Sequence, residues 1–469
     1  MRIHFIAIGG SAMHNLAIAL HKKGYQVTGS DDEIFEPSKS RLAKHGLLPD
    51  SYGWYPEKIT PDTDIVILGM HARADNPELA KARELNLRVL SYPEFLYEQT
   101  KDKTRVVIGG SHGKTTITAM IMHVLRDNNI RFDYMAGAQI EGFDTMVGLS
   151  DEAEIAVMEG DEYLTSPTDP RPKFHLYHPH IAVLSGIAWD HINVFPTFEY
   201  YVEQFRIFSR LIRPGGTLFY FGEDPELKKI AEEADHIKAI PYETHPYCIE
   251  DGTTYLKIGE REIRLHIFGE HNLQNLSAAK AVCNTLGVTD ENFYRSIRSF
   301  PGASRRLEVL SENSTTKVFR DFAHSPSKLM ATIRAVRQQY PGRKLVACME
   351  LHTYSSLKKD FLPLYDQTMN DADVAYVYFN PHTVAQKKLE PVSNELIEKG
   401  FNKKGLVVSS DSDWLFGELE KIEWDEVNLL LMSSGDFNGR NLPDFAVRIT
   451  GNPVRFKRGD WIKNPQATL

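Results

Sequence analysis

Short apolar runs alternate with segments of helical spacing at the start of the chain. Residues 3–8 are almost all apolar and predict a strand, while residues 12–20 carry apolar side chains at helical intervals. Gly9 and Gly10 lie between the two and predict a turn. Further strands are predicted at residues 25–29, 64–69 and 87–90, with a helix at residues 77–84. Repeated alternation of this kind indicates a parallel sheet covered by helices.

The same alternation of predicted strands and helices recurs twice along the chain, and this recurrence indicates the domain organisation. The polar segment 98–104 precedes a new apolar strand at residues 105–109, and a second boundary falls near residues 301–306. Strand and helix signals then resume at residues 317–321, 329–338, 344–349, 373–379, 406–409 and 428–432. Because 469 residues exceed one hydrophobic core, we expect an α/β fold of three domains, at residues 1–101, 102–302 and 303–469.

Charge and composition narrow the possible partners. A formal net charge of −9 argues against binding nucleic acid or an anionic membrane surface through a broad basic face. The three cysteines form no CxxC pair, so a reducing, cytoplasmic compartment is expected. Residues 2–20 superficially resemble a signal peptide, but polar and glycine residues interrupt them, and no apolar stretch reaches the ~18 residues of a membrane span. We expect no membrane insertion.

The strongest local motif is Val-Val-Ile-Gly-Gly-Ser-His-Gly-Lys-Thr-Thr at residues 106–116, where an apolar strand runs through a glycine turn into a helix. Freed backbone N–H groups and the helix N-terminus suit phosphate, Lys114 can reach the β- and γ-phosphates, and Thr115 can bind Mg²⁺. Ile108 stands where the general pattern has its first glycine, so the match is to a shorter form. The motif predicts ATP and Mg²⁺ as cofactors, bound at Gly110, His112, Gly113, Lys114, Thr115 and Thr116.

Acidic and histidine residues follow the next two predicted strands. The strand at residues 155–158 leads to Glu159, and the strand at residues 181–184 leads towards Asp190 and His191. Carboxyl ends of parallel strands meet at one edge of a sheet, and Mg²⁺ prefers carboxylate oxygen, so Glu159 is a natural metal ligand. A histidine after a strand is more often structural, and an acidic run is often a solvated loop.

Six motifs occur in the order and approximate spacing of the Mur ligases, at residues 110–116, 159–162, 190–191, 269–275, 300–306 and 321–326. The chain resembles that family over nearly its whole length. The resemblance implies a Rossmann-like N-terminal domain that binds a uridine nucleotide, a P-loop central ATPase domain and a Rossmann-like C-terminal domain for the amine substrate. It implies an ATP-dependent carboxylate–amine ligase that joins UDP-N-acetylmuramate to an amino acid or peptide.

The resemblance also implies roles for individual residues. It places Lys114, Glu159, His191 and His324 in catalysis, and it makes Thr115, Glu159 and His191 metal ligands. On the ATP side it adds His271, Asn272, Asn275, Arg306 and Asp321. For the UDP-sugar it implies Gly9, Gly10, Ser11, Ser30 and Asp31, although Ala7 and Ala12 stand where the family's turn has glycine.

Finer features resemble one branch of the family. No lysine occurs in residues 174–227, where several Mur ligases carry a carbamylated lysine, and this is similar to the alanine-adding and muropeptide-ligase branches. Segments 161–179 and 432–439 resemble the muropeptide ligases, whereas segment 350–356 is nearer in outline to the alanine-adding enzymes. Thr353 and Ser356, however, replace the two arginines expected to hold the carboxylate of alanine. We therefore expect ligation of a murein tripeptide in peptidoglycan recycling.

Three alternatives remain open from the sequence. The first is the alanine-adding ligase of the same family. The second is a regulator that binds UDP-sugar and ATP without ligation, suggested by the altered glycine turn and the unusual segment 350–356. The third is a plain P-loop ATPase or small-molecule kinase, which would not explain the ordered motifs in the last two domains. ADP formation that requires both a carboxylate and an amine separates a ligase from the last two.

Overall fold

A computed structural model describes residues 1–451, and these residues form three sheet-based α/β regions. They group into two compact units. The first comprises Met1–Pro246, Leu256–Leu265 and Asn272–Ser304, and the second comprises Tyr247–Tyr255, His266–His271 and the described residues from Arg305 onwards. The first expected domain and most of the second lie in the first unit, and the domain boundaries at residues 101 and 302 stay a prediction.

The N-terminal region is a four-stranded parallel sheet in the order β2-β1-β3-β4. Its strands are β1 (Arg2–Ile6), β2 (Gln26–Ser30), β3 (Ile65–Leu68) and β4 (Arg88–Ser91), and its helices are α1 (Ser11–Lys22), α2 (Ser38–Lys44), α3 (Pro77–Glu84) and α4 (Tyr92–Thr100). The strand predicted at residues 3–8 ends at Ile6, because Ala7 takes a φ of 67°. The amides of Ala7 and Ile8 both donate to the Ser30 carbonyl, at 2.9 and 3.1 Å.

The central region contains a seven-stranded sheet in the order β13-β12-β11-β5-β8-β6-β7. Its strands are β5 (Thr104–Gly109), β6 (Phe132–Met135), β7 (Val147–Gly148), β8 (Ile155–Glu159), β11 (Ile181–Leu184), β12 (Thr217–Phe221) and β13 (Lys238–Tyr242). Only the β6–β7 pair is antiparallel. The middle strands are buried almost throughout, as expected of parallel strands that helices cover on both faces.

Smaller sheets and several helices complete this part of the chain. A two-stranded antiparallel hairpin consists of β9 (Leu164–Ser166) and β10 (Asp169–Pro172). A three-stranded sheet has the order β14-β15-β16, with β14 (Tyr247–Glu250), β15 (Thr253–Ile258) and β16 (Arg261–Arg264). The helices are α5 (Lys114–Asp127), α6 (Phe198–Arg210), α7 (Pro225–Glu232), α8 (Glu270–Thr285) and α9 (Asp290–Ile297).

The C-terminal region is a six-stranded sheet in the order β17-β18-β22-β19-β20-β21. Its strands are β17 (Glu308–Glu312), β18 (Lys317–Asp321), β19 (Lys344–Leu351), β20 (Val374–Phe379), β21 (Val407–Ser409) and β22 (Val427–Met432). Its helices are α10 (Pro326–Gln339), α11 (Pro381–Gln386), α12 (Asn394–Phe401), α13 (Ser412–Glu420) and α14 (Leu442–Thr450). Only the edge strand β17 runs antiparallel to its neighbour. The expected three-domain α/β architecture, with its parallel sheets, is confirmed.

Within residues 1–451, no helix has both the length and the apolar character needed to cross a bilayer.

Arg105 anchors the strand that leads into the glycine turn. Its side chain is fully buried, and it donates to backbone carbonyls of Thr100 (2.9 Å), Lys101 (2.7 Å), Tyr177 (2.8 Å) and His178 (3.0 Å). Burial lowers the pKa of this guanidinium. This one cation therefore links the end of α4, the start of β5 and the loop before β11. It fixes the position of β5 and thus of the glycine turn that follows it.

We predict that Arg105→Met destabilises the fold while keeping the size of the side chain. The substitution removes the Arg105 donors from the buried Tyr177 carbonyl and the partly buried Lys101 and His178 carbonyls; an unsatisfied buried group costs about 1–3 kcal/mol, so the melting temperature should fall by about 5 °C or more. Arg88→Met is the matched control, because Arg88 is half exposed and pairs with Glu98 at 3.1 Å. Equal melting temperatures for the two variants, measured by thermal denaturation, would contradict the anchoring role.

Candidate active site

The glycine turn after β5 is shaped by the end of the neighbouring strand β11. Gly110 and Gly113 have φ values of 123° and 78°, a left-handed region that side chains disfavour. A Cβ on Gly110 would lie 2.2 Å from the Ser185 hydroxyl oxygen, and the Ser111 amide donates to the Gly186 carbonyl at 2.9 Å. The turn is therefore packed tightly against the segment after β11 and leads directly into the N-terminus of α5, as phosphate binding requires.

Lys114, the first residue of α5, is paired inside the site. Its ammonium donates to Glu162 Oε2 at 2.6 Å and to the Gly110 carbonyl at 2.7 Å. Burial, the largest single effect, would lower the pKa of Lys114, but the neighbouring carboxylates of Glu162, Asp161 and Glu159 together outweigh it and the pKa is raised. The lysine is thus a cation in the folded protein, and its partner before any nucleotide binds is Glu162.

Glu162 connects three groups of this site, Lys114, Tyr201 and His191. It is 1% exposed, its Oε1 accepts from the Tyr201 hydroxyl at 3.1 Å, and the same oxygen lies 3.6 Å from His191 Nε2. Burial, with Glu162 nearby, raises the pKa of Tyr201, so the phenol keeps its proton and donates it. Sequence reasoning placed Glu162 within an acidic motif but did not select it. The sequence offered one indication that could have selected Glu162, its position three residues after Glu159 in the same acidic motif.

Glu159, the last residue of β8, lies against the first turn of α5. Its Oε1 accepts from the Thr115 hydroxyl at 2.9 Å, and its Oε2 accepts from the Gly137 amide at 2.7 Å. The carboxylate is 7% exposed. A carboxylate beside a hydroxyl is a hard oxygen donor set, which suits Mg²⁺, so the residues present fit the predicted metal.

His191 lies near Glu159 and Thr115, but its contacts are with Asp190, Tyr163 and Glu162. It has a φ of 53°, its amide donates to Asp190 Oδ1 at 2.8 Å, and its ring meets the edge of Tyr163 at 5.4 Å between centroids. The carboxylate it approaches is Glu162, at 3.6 Å. Its role as a metal ligand stays a prediction.

The residues predicted for the adenosine side fall into separate places. Asn275 reaches the glycine turn, since a Cβ on Gly113 would lie 2.3 Å from its Oδ1. Asn272 is buried one turn earlier in α8. His271 belongs to the other compact unit, and burial lowers its pKa to about 4, so its imidazole is neutral near pH 7.

Two further residues of the phosphate motif also support the turn. His112 packs its ring against Gly186, where a Cβ would lie 2.7 Å from ring atoms, and Thr116 is buried within α5.

The predicted UDP-sugar residues gather at a second turn, between β1 and α1. Gly9 donates its amide to Asp31 Oδ2 at 2.7 Å, and a Cβ on Gly9 would lie 2.8 Å from Ile34. Gly10 precedes α1, and Ser11 is exposed as its first residue. Ser30 is buried and uses its carbonyl to hold the turn. The structure brings these residues together, and their contact with a nucleotide stays a prediction.

Asp31 is a buried carboxyl at this second turn. It is 2% exposed, and its two oxygens accept from the amides of Gly9 and Asp32, at 2.7 and 3.0 Å. Burial dominates over these hydrogen bonds and raises the pKa of Asp31 to about 6. The carboxyl therefore titrates close to neutral pH. Its protonation state affects the hydrogen bond from the Gly9 amide, which shapes the turn between β1 and α1.

The remaining predicted residues lie in the C-terminal unit around the end of β18. Asp321 accepts from the amides of Leu307 and Ala323, both at 2.7 Å, and burial raises its pKa although Arg306 opposes the shift. The Arg306 guanidinium lies over the Phe322 ring at 4.8 Å. His324 Nδ1 is 2.8 Å from the Phe322 carbonyl. Asp321 thus fixes the backbone beside Arg306, and the roles of these residues in ATP binding and catalysis stay predictions.

Three consecutive segments of the chain match known domain families. Residues 2–104 match the Mur ligase family catalytic domain, residues 108–283 the Mur ligase middle domain, and residues 305–429 the Mur ligase glutamate ligase domain. A curated UDP-N-acetylmuramate–L-alanine ligase from Streptococcus mutans is 31% identical over 389 residues, which cover 80% of this chain and 81% of the relative.

Solved structures share the fold across nearly the whole chain. A murein peptide ligase from Psychrobacter arcticus superposes with a TM-score of 0.65 at 22% identity, covering 97% of this chain and 100% of the relative. An alanine ligase from Thermotoga maritima superposes with a TM-score of 0.69 at 21% identity, covering 96% and 98%.

These matches define the class of protein: an ATP-dependent ligase that forms an amide bond between a carboxylate and an amine. The chain belongs to the Mur ligase family.

We predict that Gly137→Ala weakens the use of Mg²⁺. The added Cβ would lie 2.5 Å from Glu159 Oε1, so the carboxylate has to move from the position that the Gly137 amide and Thr115 define. The Mg²⁺ concentration for half-maximal ADP release should rise by about tenfold. Gly417→Ala is the control, since no neighbouring atom lies within 4 Å of a Cβ there. An unchanged Mg²⁺ requirement would argue against Glu159 as a ligand.

We predict that Asp31→Asn gains stability over the wild type as pH rises. The folded-state pKa of Asp31 is about 6, above the ordinary 3.8, so its contribution to stability is present below pH 3.8 and is lost as pH passes 6. The amide keeps an acceptor for Gly9 but does not ionise. The melting temperature of the variant relative to wild type should therefore be higher at pH 7.5 than at pH 5. Asp50→Asn, at an exposed position, should show no such trend.

Proposed function

We propose that this chain joins the murein tripeptide L-alanyl-γ-D-glutamyl-meso-diaminopimelate to UDP-N-acetylmuramate with ATP, in peptidoglycan recycling. The observation that carries this choice of amine is the turn after β19. Thr353 donates its hydroxyl to Ser356 Oγ at 2.9 Å, and the Ser356 amide donates back to Thr353 Oγ1 at 3.1 Å. These two side chains close a local turn and offer no cation for the carboxylate of free alanine.

Arginines elsewhere in the C-terminal unit support a substrate with several carboxylates. Arg305, Arg320 and Arg440 line a cavity of about 150 Å³ near the end of β22. Glu308 pairs with Arg320 at 2.8 Å, yet the buried Nε of Arg320 has no hydrogen-bond partner among the described residues. The cavity has room for a carboxylate group, and the tripeptide carries three carboxylates whereas alanine carries one. These arginines are our candidates for peptide recognition.

The hairpin of β9 and β10 also supports the peptide-ligating branch. It lies in segment 161–179, which resembles the muropeptide ligases, and Lys173 pairs with Asp161 at 2.6 Å at its base. The alternative, an alanine ligase, is favoured by the names of the curated relatives and by the outline of segment 350–356. A biochemical test therefore has to compare the two amines directly.

The proposed reaction begins with activation of the sugar carboxylate. The γ-phosphoryl group of ATP passes to the lactyl carboxylate of UDP-N-acetylmuramate and gives an acyl phosphate and ADP. The amine then attacks the acyl carbon, and inorganic phosphate leaves as the amide forms. Lys114 and the amides of the glycine turn hold the phosphates and stabilise the charge that develops on the transferring group.

The proposed metal site is built on the Thr115 hydroxyl and the Glu159 carboxylate. Thr115 and Glu159, with His191 as a further candidate, would hold Mg²⁺, which neutralises phosphate charge during transfer. Lys114 has to leave Glu162 as it turns to the phosphates. Tyr201, which keeps its proton, remains bonded to Glu162 and holds that carboxylate in place during the exchange.

The test is ADP release with ATP, Mg²⁺ and UDP-N-acetylmuramate, comparing the tripeptide with L-alanine and identifying the product by mass. We expect coupled product with the tripeptide and little with alanine. Lys114→Ala should lower the rate by about a hundredfold or more while UDP-sugar binding persists, because one cation at the transferring phosphate is lost. Lys101→Ala, an exposed lysine in the same unit, is the matched control.

Each of the other possible outcomes would support one of the alternative functions. Product with alanine alone would make the chain the alanine-adding ligase. Binding of UDP-sugar and ATP without product from either amine would favour the regulator, and ADP release without an amine would favour an ATPase. Full activity of Lys114→Ala would refute the phosphate-loop assignment.

A further inference from the structure

The carboxylate of Glu159 is oriented by a hairpin that comes from outside the phosphate loop. The hairpin joins β6 to β7, and its arms are linked where the Ala136 amide donates to the Met146 carbonyl at 2.9 Å. The next residue, Gly137, donates its amide to Glu159 Oε2 at 2.7 Å. The position of this hairpin therefore decides whether Glu159 faces Thr115.

A buried amide side chain on α1 holds the other arm of the same hairpin. Asn15 is fully buried, and its Oδ1 accepts from the Met146 amide at 2.9 Å. Its Nδ2 donates to the Ser11 carbonyl at 2.8 Å and lies 3.0 Å from His14 Nε2. Both sides of the amide are thus used, and the oxygen that receives Met146 cannot exchange places with the nitrogen without losing these bonds.

The histidine beside Asn15 fixes this arrangement. Burial lowers the pKa of His14, so the ring is neutral near pH 7, and its Nδ1 lies 2.9 Å from the Gly10 carbonyl and 3.0 Å from Ser38 Oγ. With Nδ1 donating to the Gly10 carbonyl, Nε2 is the acceptor and receives a hydrogen bond from Asn15 Nδ2. A chain of hydrogen bonds therefore runs from the glycine turn before α1 to the hairpin.

Other links between α1, α2 and this hairpin lie at the surface. Lys22 pairs with Asp144 at 3.2 Å, and Arg41 donates to the Asp144 carbonyl at 2.6 Å. Asp144 is 89% exposed, so water and salt screen its pairing with Lys22, and such pairs contribute little. The hydrogen bond from the Met146 amide to the fully buried Asn15 side chain is less exposed than these surface links, so water replaces it less easily.

We propose that Asn15 is a positioning residue for the metal carboxylate: by accepting from Met146 it fixes the hairpin whose Gly137 amide orients Glu159. This inference rests on the proposed function, in which Glu159 is a ligand of Mg²⁺. Asn15 lies in the first turns of α1, the helix that directly follows Gly9 and Gly10. It therefore also links the proposed UDP-sugar turn to the metal site. It touches neither the phosphates nor the metal itself.

Two substitutions at this position separate the contacts of Asn15. Asn15→Thr keeps the buried volume and can still donate to the Ser11 carbonyl, as threonine does within helices, but its shorter side chain does not reach Met146. Asn15→Asp loses the donor and keeps an oxygen at the right distance for the Met146 amide. Ser38→Ala removes a buried bond to His14 without changing the contact to Met146, so it is the matched control.

The measurement is binding of Mn²⁺ to the full chain with a non-hydrolysable ATP analogue, followed by electron paramagnetic resonance. Asn15→Thr should weaken Mn²⁺ binding by about five- to tenfold, the equivalent of one buried hydrogen bond, and Asn15→Asp and Ser38→Ala should stay within about twofold of wild type. The Mg²⁺ concentration for half-maximal ADP release should shift in parallel, while the KM for the amine substrate stays the same.

The possible results separate the metal assignment of Glu159 from the positioning role of Asn15. Wild-type chain that binds no Mn²⁺ with the ATP analogue would refute the metal assignment in the proposed function. Wild-type binding that Asn15→Thr leaves unchanged, or that Ser38→Ala weakens equally, would refute only the positioning role. If Asn15→Thr does not fold, a loss of Mn²⁺ binding in Asn15→Asp, which keeps the acceptor, would also overturn the role.

Discussion

Buried carboxylates at the ends of parallel strands shape the candidate sites of this chain. Asp31 follows β2 and accepts from Gly9, Glu159 ends β8 and accepts from Gly137, and Asp321 ends β18 and accepts from Leu307. Parallel strands leave their carboxyl ends at one edge, where loops supply free backbone amides. In each case an acidic side chain accepts from an amide of a loop that is distant in sequence. At Asp31 and Asp321 that loop carries or adjoins predicted ligand residues, whereas at Glu159 the carboxylate is itself the predicted metal ligand.

Burying these carboxylates costs free energy, and that cost helps to hold the loops in one geometry. Removing a carboxylate from water disfavours its charged form, and the raised pKa values of Asp31 and Asp321 express that cost. The amides offset part of it only in one geometry, so the loops are held in that geometry rather than in several. Around Lys114, the nearby carboxylates, that of Glu162 foremost, offset the cost of burying the ammonium and raise the pKa of Lys114, so the lysine keeps its charge.

The sequence was sufficient for the parts that depend on local pattern. Alternating apolar segments indicated the parallel sheets, and the strand, glycine turn and helix around Lys114 lie as expected. The hairpin of β9 and β10 was not predicted as strands, because Pro167, Pro170 and Pro172 argue against them, and here proline is tolerated because the pair is isolated from the main sheet. Glu162 was recognised as part of a motif, but its contacts with Lys114 and Tyr201 depend on the folded arrangement. The bond between Asn15 and Met146 joins residues 131 positions apart and has no local signature at all.

The pairing of Lys114 with Glu162 also has a consequence for what the glycine turn rejects. A lone phosphate or sulfate ion meets a lysine whose charge is already matched, and taking that lysine would leave Glu162 buried and unmatched beside a new anion. Only a ligand that brings its own positive charge and binds elsewhere as well can compensate for that loss. We therefore expect the turn to bind free phosphate or sulfate weakly, and to bind a nucleotide together with the proposed divalent cation.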